Sequence, residues 1–160
     1  MSQSKHEQAV ADYDDGYYDK KLDEGEEFQD FVTWEFYRKG IPIVGYSSKK
    51  YQQQRGENAN GIEIKRDGKF RDTGNLYIET AEKTHPNNSH YIDSGIYRRD
   101  NSWLFAIGDE KTIYVFAKKL LCRAIEETPE FRRVEKPTSR GVLLSIVDAD
   151  TLCAWRIDPR

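Results

Sequence analysis

The chain has 160 residues, of which 25 are Lys or Arg and 28 are Asp or Glu, for a net charge of -3. This length fits one domain with a buried core, and three Trp, ten Tyr and seven Phe exclude a wholly disordered chain. No apolar run approaches the roughly 20 residues of a membrane span, and the first residues lack the apolar core of a signal peptide. We therefore expect a soluble, cytoplasmic protein.

Charge is distributed unevenly along the chain. Residues 1–27 include nine acidic and three basic residues, which leaves 22 basic and 19 acidic residues in the remainder. Because residues 1–27 also lack apolar periodicity, we predict an acidic, partly disordered segment there and a single folded domain over 28–160. A mildly basic domain permits binding to DNA without requiring it.

The first predicted helix lies in 26–40, "EEFQDFVTWEFYRKG". It opens with acids, closes with Arg38 and Lys39, and ends at Gly40. Its apolar stripe consists of Phe28, Phe31, Val32 and Phe36. Glu35 falls on the same stripe, where an unpaired carboxylate is costly. It is either a hydrogen-bonded or edge-lying Glu of the core, or a carboxylate that leans into a metal site.

The remaining elements follow from alternation, turn residues and helical periodicity. We predict strands in 41–48, 60–67 and 73–83, loops in 49–56 and 84–90, a short helix in 91–100, a hairpin in 102–117, a helix in 118–127 and a final pair of strands in 141–157. In the hairpin, Trp103 and Phe105 are assigned to the core. His85 and His90 flank a loop rich in turn formers, which favours turn and surface roles over a metal pair or an HNH-type nuclease.

The strand in 60–67 alternates strictly. Ile62 and Ile64 fall on one face, and Glu63 and Lys65 fall on the other, about 7 Å apart along the strand. Glu57 precedes the strand across a bend that contains Gly61, and this bend can fold it back beside Glu63. Two carboxylates and a lysine are the groups that hydrolysis of a phosphodiester with bound metal ions requires. A plain strand with a solvated charged face is the alternative.

The stretch "GENANGIEIK", residues 56–65, resembles the active-site half of the PD-(D/E)xK nuclease superfamily. The resemblance implies an α/β fold with a restriction-endonuclease-like core, that is, a central mixed β-sheet flanked by helices, over residues 26 to about 117. It implies that Glu57 and Glu63 bind Mg²⁺ together with the carbonyl of Ile64, with Mn²⁺ as a substitute ion. The resemblance also implies that Lys65 assists the attacking water and that the substrate is DNA. Duplex-cutting members of the family often work as dimers, so a homodimer is one open alternative for the oligomeric state.

This sequence departs from the family motif at the first acid. Glu57 replaces the Asp that follows Pro in the motif, and it lies only six residues before Glu63. The carboxylate that many members add from the first helix is Glu35 or Glu27. Glu79, on the next strand and on the side opposite Leu76 and Ile78, is a further candidate.

Three functions remain open from the sequence. The first is a Mg²⁺-dependent endodeoxyribonuclease with Glu57, Glu63, Lys65 and Glu35 as catalytic residues. The second is an inactive protein of the nuclease fold that binds nucleic acid or a protein partner. The third is a structural or interaction module in which the acidic segment before residue 28 docks a basic partner. The segment by itself is either a solubilising tail or an intramolecular DNA mimic that shields the basic domain.

Overall fold

The computed structural model describes residues 18–159. Within this range the chain forms a mixed α/β structure with two four-stranded sheets. The helices are α1 (Tyr18–Arg38), α2 (Lys49–Arg55), α3 (Phe70–Thr73), α4 (Lys118–Glu127) and α5 (Ile146–Leu152), with a 3₁₀ turn at Gly95–Tyr97. The strands are β1 (Ile62–Arg66), β2 (Asn75–Glu82), β3 (Ile92–Asp93), β4 (Leu104–Gly108), β5 (Ile113–Ala117), β6 (Arg133–Glu135), β7 (Ser139–Ser145) and β8 (Trp155–Ile157).

The first sheet has the strand order β1-β4-β5-β8 and is mixed. Strand β1 runs parallel to β4, with Glu63 opposite Phe105, whereas β4, β5 and β8 pair antiparallel. This mixed sheet, flanked by helices, confirms the predicted α/β class. The second sheet, with the order β3-β2-β7-β6, is antiparallel throughout and was not predicted.

The turn between β1 and β2 explains why these consecutive strands lie in different sheets. Asp67 is buried, and its Oδ1 accepts hydrogen bonds from the backbone N–H groups of Lys69 and Phe70. Its Oδ2 accepts one from the N–H of Tyr77 at 2.8 Å. These bonds fix a turn followed by the single helical turn of α3, and the chain enters the second sheet instead of forming a hairpin with β1.

Two apolar clusters cover the two faces of the mixed sheet. Helix α1 packs Phe28, Val32 and Phe36 against the face that presents Ile62 and Ile64. On the other face, alternate side chains of β4 and β5 pack against the second sheet and α4. Any side chain on the second face of β1 therefore points into the space between the two sheets.

Several predicted elements are confirmed. Helix α1, strands β1 and β2, the β4–β5 hairpin and α4 all occur where the apolar periodicity predicts them. The stretch 91–100 holds a short helix only in the form of the 3₁₀ turn, which β3 precedes. Helix α1 begins at Tyr18, inside the predicted acidic segment. Residues 1–17 lie outside the described residues, so disorder in that part stays a prediction.

The predicted strand in 41–48 is wrong. This segment forms a single bridge, between Gly45 and Asn58, and lies largely exposed beside the loop that precedes β1. Its backbone groups bond to that loop, as in the 2.8 Å bond from the Val44 N–H to Asn60 Oδ1. A loop supplies too few regularly spaced partners for a ladder, and Pro42 has no N–H to donate.

The predicted loop in 49–56 is also wrong, because 49–55 is helix α2. Ser48 caps it by accepting a hydrogen bond from the N–H of Tyr51, and Lys, Gln and Arg are good helix formers. Both strands of the final pair predicted in 141–157 are present, as β7 and β8, but they lie in different sheets and do not pair with each other. Ser145 caps α5, and this helix carries the chain from β7 in one sheet to β8 in the other.

Candidate functional site

Strand β1 places Glu63 and Lys65 on the sheet face opposite Ile62 and Ile64, as the alternation predicts. The solvent exposure of these two side chains differs from that expected on a solvated strand face. Glu63 is 2% exposed, whereas the side chain of Lys65 is 43% exposed. The expectation of a plain charged face in water is therefore wrong for Glu63, which is a buried carboxylate beside a lysine that reaches solvent.

Two lysines flank the carboxylate of Glu63. Lys65 Nζ lies 3.8 Å from Oε1, and Lys118 Nζ lies 3.8 Å from Oε2. At these distances the contacts are ion pairs rather than hydrogen bonds. Oε2 is buried and has no hydrogen-bond partner among the described residues. An unsatisfied buried carboxylate oxygen is costly, and it has free capacity for one more ligand.

Lys118, the first residue of α4, is held firmly by its other contacts. Its Nζ donates to the carbonyl of Arg98 at 2.9 Å and to Ser102 Oγ at 2.6 Å. It also lies 3.6 Å from Oδ1 of Asp100, whose side chain is 1% exposed. Arg98 approaches Oδ2 of the same carboxylate at 3.4 Å. Two buried carboxylates, Glu63 and Asp100, thus share one lysine.

Glu57 reaches β1 directly. Its Oε2 accepts a hydrogen bond from the N–H of Ile64 at 2.9 Å, so its carboxylate lies beside the strand. The loop that holds it is fixed by Asn58, whose side chain bonds both the N–H and the carbonyl of Ile62. Asn101 Nδ2 donates to the carbonyl of Asn58 from the neighbouring segment. The predicted trio of Glu57, Glu63 and Lys65 therefore occupies one region of the structure.

Burial and the neighbouring charges shift the protonation equilibria of these groups. Burial raises the pKa of Glu63 to about 7, and the charge of Glu57 adds to the rise, while Lys65 and Lys118 oppose it. Burial likewise raises the pKa of Glu57. Burial lowers the pKa of Lys65, but the charges of Glu63 and Glu57 outweigh it and raise the pKa above its usual value. Near neutral pH, Lys65 is charged and Glu63 titrates.

The helix carboxylates lie apart from this group. Glu35 is buried, as predicted, and its Oε1 accepts a hydrogen bond from Arg38 at 3.3 Å. It belongs to α1, which packs on the Ile62 and Ile64 face of β1, opposite the face of Glu63. Glu27 is exposed on the same helix. A role for either carboxylate in the site stays a prediction.

Glu79 lies on β2 in the second sheet, and its Oε1 accepts a hydrogen bond from Ser94 Oγ at 2.6 Å. Its charge and that of Glu82 contribute to the raised pKa of Lys65. A Cβ on Gly95, whose φ is +54°, would lie 2.1 Å from the carbonyl oxygen of Glu79, so this close approach requires glycine. Glu79, although it belongs to the other sheet, therefore lies close enough to Lys65 to influence its pKa.

The sequence pattern did not select Asp100 or Lys118 as residues of the site. Lys118 stands in "AKKLL" beside Lys119, where a pair of lysines at the start of a helix is typical of a solvated surface. Asp100 follows two arginines in a loop. Because Asp100 and Lys118 meet Glu63 through long-range contacts alone, no local pattern could have selected them. The core assignment of Phe105 is confirmed, but that of Trp103 is wrong, since this side chain is 63% exposed.

Within residues 18–159, no group of three or more His, Cys, Asp or Glu side chains is arranged to hold a metal ion. A magnesium site of two carboxylates, a carbonyl and several waters needs fewer such side chains. The unsatisfied Oε2 of Glu63 and the carboxylate of Glu57 beside β1 are oxygen donors of the kind that Mg²⁺ prefers. The oxygen donors are therefore of the chemical type that fits a divalent cation, with the ammonium of Lys118 3.8 Å from the same Oε2.

Fold and site together define a mixed α/β protein with a buried carboxylate between two lysines at the edge strand of a mixed sheet. Comparisons with protein-family models, with curated proteins and with solved structures find no match to the chain. In the part of the chain that the structure describes, no helix is both long and apolar enough to cross a membrane.

Proposed function

We propose that this protein is a Mg²⁺-dependent endodeoxyribonuclease with a restriction-endonuclease-like core. One observation carries the proposal. The carboxylate of Glu63 is buried with Oε2 unsatisfied, and it lies 3.8 Å from the partly exposed Lys65 on the same strand. A buried, incompletely paired carboxylate is expensive, and strongly shifted carboxylates occur preferentially at functional sites.

Glu57, Glu63 and the carbonyl of Ile64 would hold the cation, and Mn²⁺ could replace Mg²⁺. When bound, the ion would supply Lewis-acid charge at the scissile phosphate and lower the pKa of a water molecule. Lys65, charged and open to solvent, orients the attacking water or hydrogen-bonds a phosphate oxygen. Lys118 and Asp100 position Glu63 without reaching solvent themselves.

DNA is the proposed partner. A homodimer would bring two such sites to the two strands of a duplex, and a cytoplasmic location belongs to the same proposal. Lys65 and Arg98, whose side chains are 43% and 30% exposed, are the cations of the cluster that a phosphate can reach, although Glu63 and Asp100 offset part of their charge.

Lys65→Ala is expected to reduce cleavage of DNA by about 100-fold or more, because it removes the only charged group of the proposed trio that can donate to the phosphate. The measurement follows the nicking of supercoiled plasmid and the cutting of labelled duplex, branched and single-stranded oligonucleotides with Mg²⁺ or Mn²⁺.

Lys111→Ala is the matched control, since Lys111 is an exposed lysine in the β4–β5 turn. This variant should cleave at the wild-type rate. Cleavage by Lys65→Ala at the rate of Lys111→Ala would exclude the proposed role of Lys65.

A second function is favoured by the hydrogen bond that Glu57 accepts from the N–H of Ile64. If this bond holds Glu57 away from a cation, the protein keeps the nuclease fold but only binds nucleic acid or a protein partner. Calorimetric titration with Mg²⁺ and Mn²⁺ separates the two functions. The nuclease should bind a divalent ion and lose this binding in Glu63→Ala, whereas the inactive protein should bind no ion in either form.

A further inference from the structure

The indole of Trp103 is exposed yet fixed in orientation. It is 63% exposed, its Nε1 donates to the carbonyl of Asn60 at 2.8 Å, and its backbone N–H donates to the carbonyl of Gly61 at 2.9 Å. A Cβ on Gly61 would lie 2.6 Å from the Cδ1 atom of Trp103, so the ring lies directly on the glycine. A large apolar ring that is held open to solvent has a flat face free for another ring and little side-chain freedom to lose when that ring binds.

Trp103 contacts two chain segments that carry residues of the proposed site. The loop that it contacts, residues 56–61, contains Glu57. Its own carbonyl accepts a hydrogen bond from the N–H of Lys118 at 2.8 Å. A ligand stacked on the indole would therefore lie beside the chain segments that hold Glu57 and Lys118.

Helix α2 adds positive charge next to the same loop. It contains three basic residues and no acid, and it ends two residues before Glu57. Lys49 pairs with Glu26, whereas Lys50 and Arg55 are exposed. Tyr51 is also exposed, and the guanidinium of Arg55 lies 5.4 Å from its ring centroid.

Two sets of bonds tie α2 to the segment that leads to Trp103. Arg98 Nη2 donates to the carbonyls of Gln52 and Gln53, each at 3.0 Å. The N–H of Asn101 donates to the carbonyl of Arg55 at 2.9 Å. These bonds hold the C-terminal half of α2 beside the backbone that leads to Trp103.

We propose that this aromatic–basic surface, formed by Lys50, Tyr51, Arg55 and Trp103, binds unpaired DNA, with a nucleobase stacked on the indole and phosphates beside the cations of α2. The inference rests on the proposed function and narrows its substrate class to single-stranded or unpaired DNA next to the cut. Stacking on an aromatic side chain needs a base face that duplex pairing does not leave free. The cations of α2, without an acid among them, complement phosphates.

The test measures the binding of a fluorescein-labelled oligo(dT) of about 16 nucleotides by anisotropy, in EDTA so that no cleavage occurs. Trp103→Ala should lower the affinity by about 5-fold to 100-fold, the range that one stacked base supplies. Trp103→Phe, which keeps a ring but no N–H donor, should retain most of the affinity. Trp34→Ala is the matched control, since Trp34 is 57% exposed on α1, and it should stay within about twofold of wild type.

Quenching of tryptophan fluorescence by unlabelled oligo(dT) gives a second signal, which should be lost in Trp103→Phe and kept in Trp34→Ala. Thermal unfolding of each variant verifies that it is folded. Equal affinity of Trp103→Ala and wild type would overturn the proposal, and so would duplex binding with the same dependence on Trp103. A change in self-association on Trp103→Ala, with DNA binding intact, would also overturn it and assign the indole to a protein interface.

The experiments distinguish failure of the proposed nuclease activity from failure of the proposed DNA-binding surface. Binding of oligo(dT) that depends on Trp103, with cleavage absent or independent of Lys65, would support the surface and exclude the nuclease. Cleavage that depends on Lys65, with binding indifferent to Trp103, would support the nuclease and exclude the surface.

Discussion

Replacing Lys118 with Met is expected to lower the free energy of unfolding by about 3–5 kcal/mol near pH 8, the cost of removing one partner from a buried ion pair. Lys118 lies 3.8 Å from Glu63 and 3.6 Å from Asp100, and both carboxylates are buried. Met fills a similar volume, so the loss comes mainly from the uncompensated charges. The measurement is urea denaturation followed by circular dichroism, in the absence of divalent ions.

Lys119→Met is the matched control, because Lys119 is the next residue of the same helix and is exposed. This variant should change the free energy of unfolding by no more than about 0.5 kcal/mol. Adding Glu63→Gln to Lys118→Met should restore part of the lost stability, since one of the two stranded charges is removed. Equal stability of Lys118→Met and Lys119→Met would show that the buried cluster does not depend on its lysine.

Glu63→Gln is expected to change how stability depends on pH. The pKa of Glu63 is raised to about 7 in the folded protein from an ordinary value of 4.5, so the folded state binds a proton that the unfolded state has already released. The contribution of this carboxyl to stability is therefore fully present below pH 4.5 and is lost as the pH rises through 7. A glutamine at position 63 does not titrate, so its contribution to stability does not depend on pH.

The difference in unfolding free energy between wild type and Glu63→Gln should therefore fall by about 3 kcal/mol between pH 4.5 and pH 8. Denaturation curves at closely spaced pH values in EDTA measure it. Glu110→Gln is the control, because Glu110 is a half-exposed carboxylate that pairs with Arg66 at the surface, and its curve should stay within about 0.5 kcal/mol of wild type. A difference that stays constant with pH for Glu63→Gln would contradict the raised pKa.

These two experiments examine the cluster without assuming catalysis. Both expected results follow from the burial and ion pairing of Glu63 and Lys118 and do not depend on nuclease activity. The cleavage test with Lys65→Ala, and the titration with divalent ions, address the function. The stability measurements thus test the buried ion pairs, and the cleavage and ion-binding measurements test the proposed function.

Regular elements with a strong local pattern were predictable. The apolar stripe of α1 and the alternation of β1 and β2 repeat with the period of one element, and burial of one face is enough to select it. The same alternation correctly placed Glu63 and Lys65 on one face of β1. Segments with a weak local pattern were predicted wrongly. The segment 41–48 has no neighbouring strand to pair with beyond a single bridge. Helix α2 depends on the Ser48 cap and on a hydrogen bond from Arg98, which the local pattern does not show.

The amino-acid sequence by itself thus determines which side chains share one face of a helix or strand, because helical and strand periodicity acts over only a few residues. The sequence does not determine which other elements pack against that face. The packing of β1 against β4 and the second sheet buries Glu63, and the start of α4 brings Lys118 to it, through contacts between residues far apart in the chain. The charge balance of the cluster and the exposure of Trp103 therefore belong to the tertiary structure, since burial and ion pairing depend on every element that surrounds a side chain.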